Sequence, residues 1–232
     1  MDLIWDGVTE ALELIVTGDG YVYEVTATSL TVSLSATAIA VVAGFGIALL
    51  LAFRAAPGRT LAISAFNAGM ALPPVAVGLV VAVMLWRTGP LGQLQLLYTP
   101  QAIIIAQAVI AVPVVTALSV AALQSLHPRL RLQILALGAS RWQAALLLIR
   151  EARLGLLAAV MAGFGAAISE VGATIMVGGN IRGSTRTLTS ATVLEVQQGN
   201  FETAMAFSLI LLAVIFVVVA GFTVIQQRRA AS

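Results

Sequence analysis

Five apolar segments fix what this chain can become: about Thr26–Phe53, Leu61–Trp86, Gln101–Ala122, Leu154–Gly178 and Ala204–Ile225. Each is near or above the roughly 20 residues that a helix needs to cross a bilayer core. Only 9% of the 232 residues are charged, where a soluble domain carries roughly 25%, so the chain lacks the polar surface to face water on all sides. The expected fold is all-α: a polytopic membrane protein of five transmembrane helices preceded by an N-terminal interfacial helix. Its expected divisions are an amphipathic segment (1–25), a transmembrane domain (26–225) containing a basic loop (128–153), and a short tail (226–232).

The connections carry the orientation. There is no lysine, and no basic residue precedes Arg54. With the N-terminus outside, Arg54, Arg59, five central arginines, Arg228 and Arg229 fall inside, against Arg87, Arg182 and Arg186 outside. The positive-inside rule therefore places the N-terminus outside and the C-terminus in the cytoplasm of a multi-pass plasma (inner) membrane protein. Arginine marks a membrane side here and not a nucleic-acid surface. No basic region followed by a short apolar core opens the chain, so no cleaved signal peptide is expected.

The central stretch, Pro128–Arg153, holds five of the twelve basic residues. Leu130, Ile134 and Leu137, then Trp142, Leu146 and Ile149, recur at helical spacing. Gly138 falls between the two sets, where glycine accepts positive φ without a Cβ clash. A helix, a turn at Gly138–Ala139–Ser140 and a second helix are expected. A folded basic excursion of this kind can dock a cytoplasmic partner; a plain solvated loop is the other reading.

Residues 1–25 place Asp6, Glu10 and Glu13 on one helical face and Trp5, Val8, Leu12 and Ile15 on another, the pattern of an interfacial helix. Pro73 and Pro74 in the second segment, and Pro113 in the third, each remove a backbone donor and are expected to kink or break their helices, as pore-lining kinks or as packing bends. Gly155, Gly163, Gly165 and Gly172 fit close helix packing in the fourth. Glu170 is the one carboxylate deep inside a segment, where a charge costs roughly 2.5–3.5 kcal/mol. It reads either as a gate residue or as a structural carboxylate that pairs with Arg182, Arg186 or backbone amides. The Gly178–Leu188 connection, with Asn180, Arg182 and Arg186, reads as an outer turn that attracts an oxyanion or only shapes the outer mouth. A short helix over about Thr189–Gln198 should follow it.

Enzyme chemistry finds no support. There are no cysteines, a single histidine (His127) and no phosphate-binding G-x-x-x-x-G-K-[ST] loop. No metal site and no cofactor is expected, and uphill transport would need energy from another subunit.

The stretch ALGASRWQAALLLIREAR resembles the cytoplasmic loop of ABC importer permeases, whose pattern is roughly E-A-A-x-x-x-G, nine residues, then I-x-L-P. The match is Gly138 with Leu137, Ala139, Ser140 and Trp142. The chain departs from the pattern at Leu132-Gln133-Ile134 and at Arg150-Glu151. ELIVTGDGYVYEVTATSLTVSL, GMALPPVAVGLVVAVMLWRTGPLG and ISEVGATIMVGGNIRGSTRTLTSATVLEVQQGNF also look like permeases of molybdate and tungstate importers, closest to the tungstate group. The resemblance implies a type I ABC importer transmembrane fold working as a homodimer. It implies a cytoplasmic ABC ATPase dimer docked on Leu137, Gly138, Ala139, Ser140, Arg141 and Trp142, and an extracytoplasmic oxyanion-binding protein. The pathway and gate would involve Pro73, Pro74, Glu170, Asn180, Arg182 and Arg186. Molybdate or another oxyanion is the alternative cargo. A stand-alone secondary transporter is the alternative class, but it needs coupling-ion sites or internal repeats, and the sequence displays neither.

Overall fold

The computed structural model describes residues 2–53 and 57–230. Arg54 and Ser232 lie outside the described residues, as do the side chains of Arg131, Arg141, Arg228 and Arg229. Among the described residues the regular structure is helical throughout. In chain order it comprises α1 (Asp2–Val16), α2 (Gly20–Phe53), α3 (Arg59–Gly69), α4 (Pro74–Leu85) and α5 (Pro100–Gln124). Then follow α6 (Pro128–Ala136), α7 (Arg141–Glu151), α8 (Arg153–Ile168), α9 (Gly172–Gly178), α10 (Leu188–Gln198) and α11 (Phe201–Ala230).

Three helices, α2, α5 and α11, are long and apolar enough to cross a membrane alone. The other two expected spans are bent pairs: α3 meets α4 at 101° and α8 meets α9 at 57°. The first break falls at the expected Pro73–Pro74. The second, at Ser169–Val171, divides a segment expected to be one helix. Conversely, α5 runs unbroken through Pro113, so that proline does not interrupt its span.

Two boundaries also move. Helix α2 begins at Gly20 rather than Thr26, because Asp19 Oδ1 accepts from Tyr21 N (2.9 Å) and Val22 N (3.0 Å) and starts the helix ahead of the apolar run. Helix α11 continues to Ala230, through the expected start of the tail. Helix α1 packs on α11: Thr203 Oγ1 donates to Glu10 Oε1 (2.8 Å) and Gly7 lies against Met205. One member of its acidic face is thereby turned onto the protein, while Trp5 and Leu12 stay exposed.

The core forms where α2 meets α5 and α8. Small residues recur every fourth position along α2, at Ala36, Ala40, Gly44 and Ala48, which brings the α5 backbone close. Ala36 packs with Ala108 and Ala167, Ala40 with Ala111 and Val115, and Ala48 with Val120, Leu123 and Leu156. Away from this core the surface is equally apolar, with Val42, Phe216 and Val217 exposed, as lipid contact requires.

Gly163 of α8 faces the Val115 side chain with no space for a Cβ, whereas Gly165 faces open space. Gly163→Val should therefore destabilise the fold by about 1–3 kcal/mol through overpacking. Gly165→Ala should be neutral or stabilise by up to about 1 kcal/mol. Thermal unfolding of the purified chain in detergent checks both.

Candidate functional site

The two breaks come together. At the first, Pro73 and Pro74 offer no N–H, and the carbonyls of Met70, Ala71 and Leu72 accept no backbone hydrogen bond among the described residues. Pro74 takes the first position of α4, where a missing donor costs nothing. At the second, Glu170 is 7% exposed. Its Oε1 accepts from Ala173 N (2.8 Å), so the carboxylate caps α9. Its carbonyl accepts from Thr174 Oγ1 (3.1 Å) and from Thr189 Oγ1 at the start of α10 (3.2 Å). Gln107 of α5, 2% exposed, donates Nε2 to Thr174 Oγ1 at 3.4 Å. A cavity of 210 Å³ lies between the breaks, walled by Met70, Leu72 and Pro74 on one side and by Ala166, Ser169 and Glu170 on the other.

The outer connection is folded by its own polar groups. Thr185 Oγ1 donates to Gly178 O (2.5 Å) and accepts from Ile181 N (2.9 Å). Arg186 donates Nε to Asn180 Oδ1 (3.2 Å), one terminal nitrogen to Asn180 O (3.2 Å) and the other to the Tyr21 hydroxyl (2.8 Å). The Arg182 guanidinium lies over the Tyr21 ring, 4.4 Å from its centroid, a cation–π contact. Asn180, at φ 52°, also donates Nδ2 to Ser190 O (3.2 Å). Of the partners expected for Glu170, the structure has the backbone amide; both arginines go instead to Tyr21 and the turn. Arg186 is thus committed to holding the outer connection on the start of α2, and exposed Arg182 is the less committed of the two.

At the opposite end, His127 Nδ1 accepts from Arg129 N (3.2 Å) and caps α6. Gly138, at φ +85°, makes the turn, in open space, so a side chain there would be strained by the backbone and not by neighbours. Ser140 then caps α7 reciprocally with Gln143: Ser140 N donates to Gln143 Oε1 (2.8 Å) and Gln143 N to Ser140 Oγ (3.3 Å). Ala144 and Leu148 are buried, while Leu137 is 88% and Trp142 71% exposed. Together with Gly138, Ala139, Gln143, Leu146, Leu147 and Arg150, Leu137 lines an open groove of 500 Å³. The groove thus pairs an exposed leucine with the polar Gln143 and the charged Arg150.

Residues 40–232 match the profile of the family described as binding-protein-dependent transport system inner membrane component. The chain belongs to this family. It is the permease subunit of an ABC importer, an integral membrane protein. It is 44% identical over 200 residues to a probable anion ABC transporter permease protein of Haloferax volcanii, covering 84% of this chain and 86% of that one. It is 37% identical over 228 residues to the tungstate uptake system permease protein TupB of Peptoclostridium acidaminophilum, covering 98% and 100%. The solved structure of an amino acid ABC transporter superposes with a TM-score of 0.61 at 18% identity over 92% of this permease and 94% of that chain, which speaks for the fold.

Tyr21, Ser29, Gln107, Thr174, Thr189 and Ser190 were not foreseen from the permease's sequence. Ser29 Oγ accepts from Leu188 N (2.7 Å), which ties α10 to α2. A hydroxyl, or for Gln107 a carboxamide, within or beside an apolar run is the one signal they carry, and it does not name a partner.

Because Glu170 caps α9, Glu170→Ala should destabilise the permease by about 1–3 kcal/mol by orphaning a buried N–H. Glu170→Gln keeps the acceptor oxygen and should cost much less. Thermal unfolding of the two variants beside wild type is the check.

Proposed function

We propose that this chain is the membrane-spanning subunit of an ATP-driven tungstate importer, acting as a homodimer. A pair of cytoplasmic ABC ATPases docks on the α6–α7 connection and hydrolyses the ATP, since no nucleotide motif occurs in the chain. An extracytoplasmic binding protein hands the oxyanion to the outer mouth. The N-terminus lies outside and the C-terminus in the cytoplasm, as the arginine distribution favours. Helix α1 lies along the outer interface with Trp5 at headgroup depth.

One observation carries the mechanism. Helix α8 follows α7 after Ala152 alone, and so runs from the end of the helix that carries the exposed surface to the break beside Glu170. Its 16 residues span about 24 Å at the α-helical rise. A rigid displacement of α7 and α8 by the ATPases would therefore reach the break at Ser169–Val171 without passing through a flexible linker. There α9 and α10 are held by hydrogen bonds to Glu170, Thr174 and Thr189, which can be exchanged as the helices move. Pro74, with Pro73 setting the break just before it, stands in the facing wall, and Arg182, with Asn180 and Arg186 behind it, forms the outer mouth. A repelled oxyanion gains nothing from Glu170, so the carboxylate serves as a latch and not as a ligand.

Uptake of labelled tungstate, in cells with and without the chain, tests the substrate. Uptake should require the chain, and unlabelled tungstate should compete better than molybdate; preferential competition by molybdate would reassign the cargo. Trp142→Ala and Gly138→Val should abolish both uptake and ATPase co-purification while leaving the permease in the membrane. Normal co-purification of both variants would place the dock elsewhere.

A further inference from the structure

The cavity between the two breaks has a chemistry that the import cycle above leaves unused. Among the side chains that wall it, only Ser169 and Glu170 are polar, and none is basic. Glu170 Oε1 is occupied by the Ala173 amide, and no donor among the described residues meets Oε2. Ser169 spends its hydroxyl proton on Gly165 O (2.7 Å), which leaves its oxygen an acceptor. The wall residues Met70, Leu72 and Ala166 carry backbone carbonyls that take no hydrogen bond among the described residues. Val109, also in the wall, loses its helical donor because Pro113 has no N–H. Everything polar there is therefore an acceptor, and the formal charge is that of one carboxylate.

An oxyanion finds no donor in such a wall. A cation does: oxygen-only donors suit hard ions, and unwound carbonyls beside helix C-termini are how broken spans hold alkali ions. One carboxylate with neutral carbonyls balances a single positive charge, so the donor set favours a monovalent ion over a divalent one. At 210 Å³ the space admits an ion with part of its water shell.

We propose that this cavity binds a sodium ion through Glu170, Ser169 and the freed carbonyls. The ion neutralises Glu170, so that an oxyanion crossing the same region is not turned back by a bare carboxylate. That role rests on the import reading above; the binding itself does not.

Radioactive sodium binding to the full chain purified into lipid nanodiscs, with choline replacing sodium at constant ionic strength and neutral pH, is the test. Wild type should bind sodium saturably, about one ion per chain. Glu170→Gln, which keeps the α9 cap, should lose saturable binding, and Glu170→Asp should retain it. Size-exclusion elution of each variant confirms that the chain is folded. Equal binding by wild type and Glu170→Gln, or no saturable binding by wild type, would overturn the site. Absence of sodium binding together with uptake that follows proton concentration would assign a proton to Glu170, and would equally overturn the sodium assignment. Because the binding assay contains no oxyanion and no ATPase, a failed uptake experiment would count against the importer reading and not against this site.

Discussion

Lipid offers no hydrogen bonds, so each backbone N–H and C=O within the bilayer must find its partner in protein or in enclosed water. An unbroken helix meets that demand automatically, and α2, α5 and α11 do so. The bent spans cannot, and the architecture around them follows from how their freed groups are met. At Ser169–Val171 the answer is side-chain oxygen: Glu170 receives the Ala173 amide, while the hydroxyls of Thr174 and Thr189 supply the Glu170 carbonyl. At Met70–Leu72 the carbonyls accept no backbone hydrogen bond among the described residues, and Met70 and Leu72 line the cavity.

This difference makes the two breaks unequal. The α8–α9 break is stitched to α10 and, through Thr174 and Gln107, to α5. The α3–α4 break is loosely held, and α3 itself has no buried residue. In the proposed cycle, a movement delivered along α8 would act on a defined set of hydrogen bonds, opposite a wall with few of its own. Outside this centre the same economy recurs. Tyr21 gathers Arg182 and Arg186, and Ser29 receives the first amide of α10, so the outer connection is fixed to α2 by contacts of neutral groups with cations and amides.

The parts of this fold legible in the sequence were those with local causes. Segment length gave the spans, paired prolines gave the first break, and Gly138 before Ser140 gave the turn between α6 and α7. The second break was hidden because Ser169, Glu170 and Val171 include neither proline nor glycine. The depth of Glu170 is legible from its apolar surroundings, but its partner depends on where Arg186 goes, and Arg186 is drawn to a tyrosine 165 residues earlier in the chain. The acceptor-lined cavity was invisible for a deeper reason. Its oxygens are mostly backbone, and a sequence records side chains.

In the proposed import cycle both breaks line one aqueous path whose open side changes as the ATPases bind and hydrolyse ATP. The chain has no cysteines, so a single cysteine at Leu72 or at Ser169 reports without background. Its reaction with a membrane-impermeant thiol reagent, applied from either side of proteoliposomes holding the permease with its ATPase, measures that path directly. Both positions should react from the cytoplasmic side without nucleotide and from the outer side with ATP trapped by a slowly hydrolysed analogue. Reaction from the same side in both states, or at neither position, would mean that the breaks do not line an alternating path.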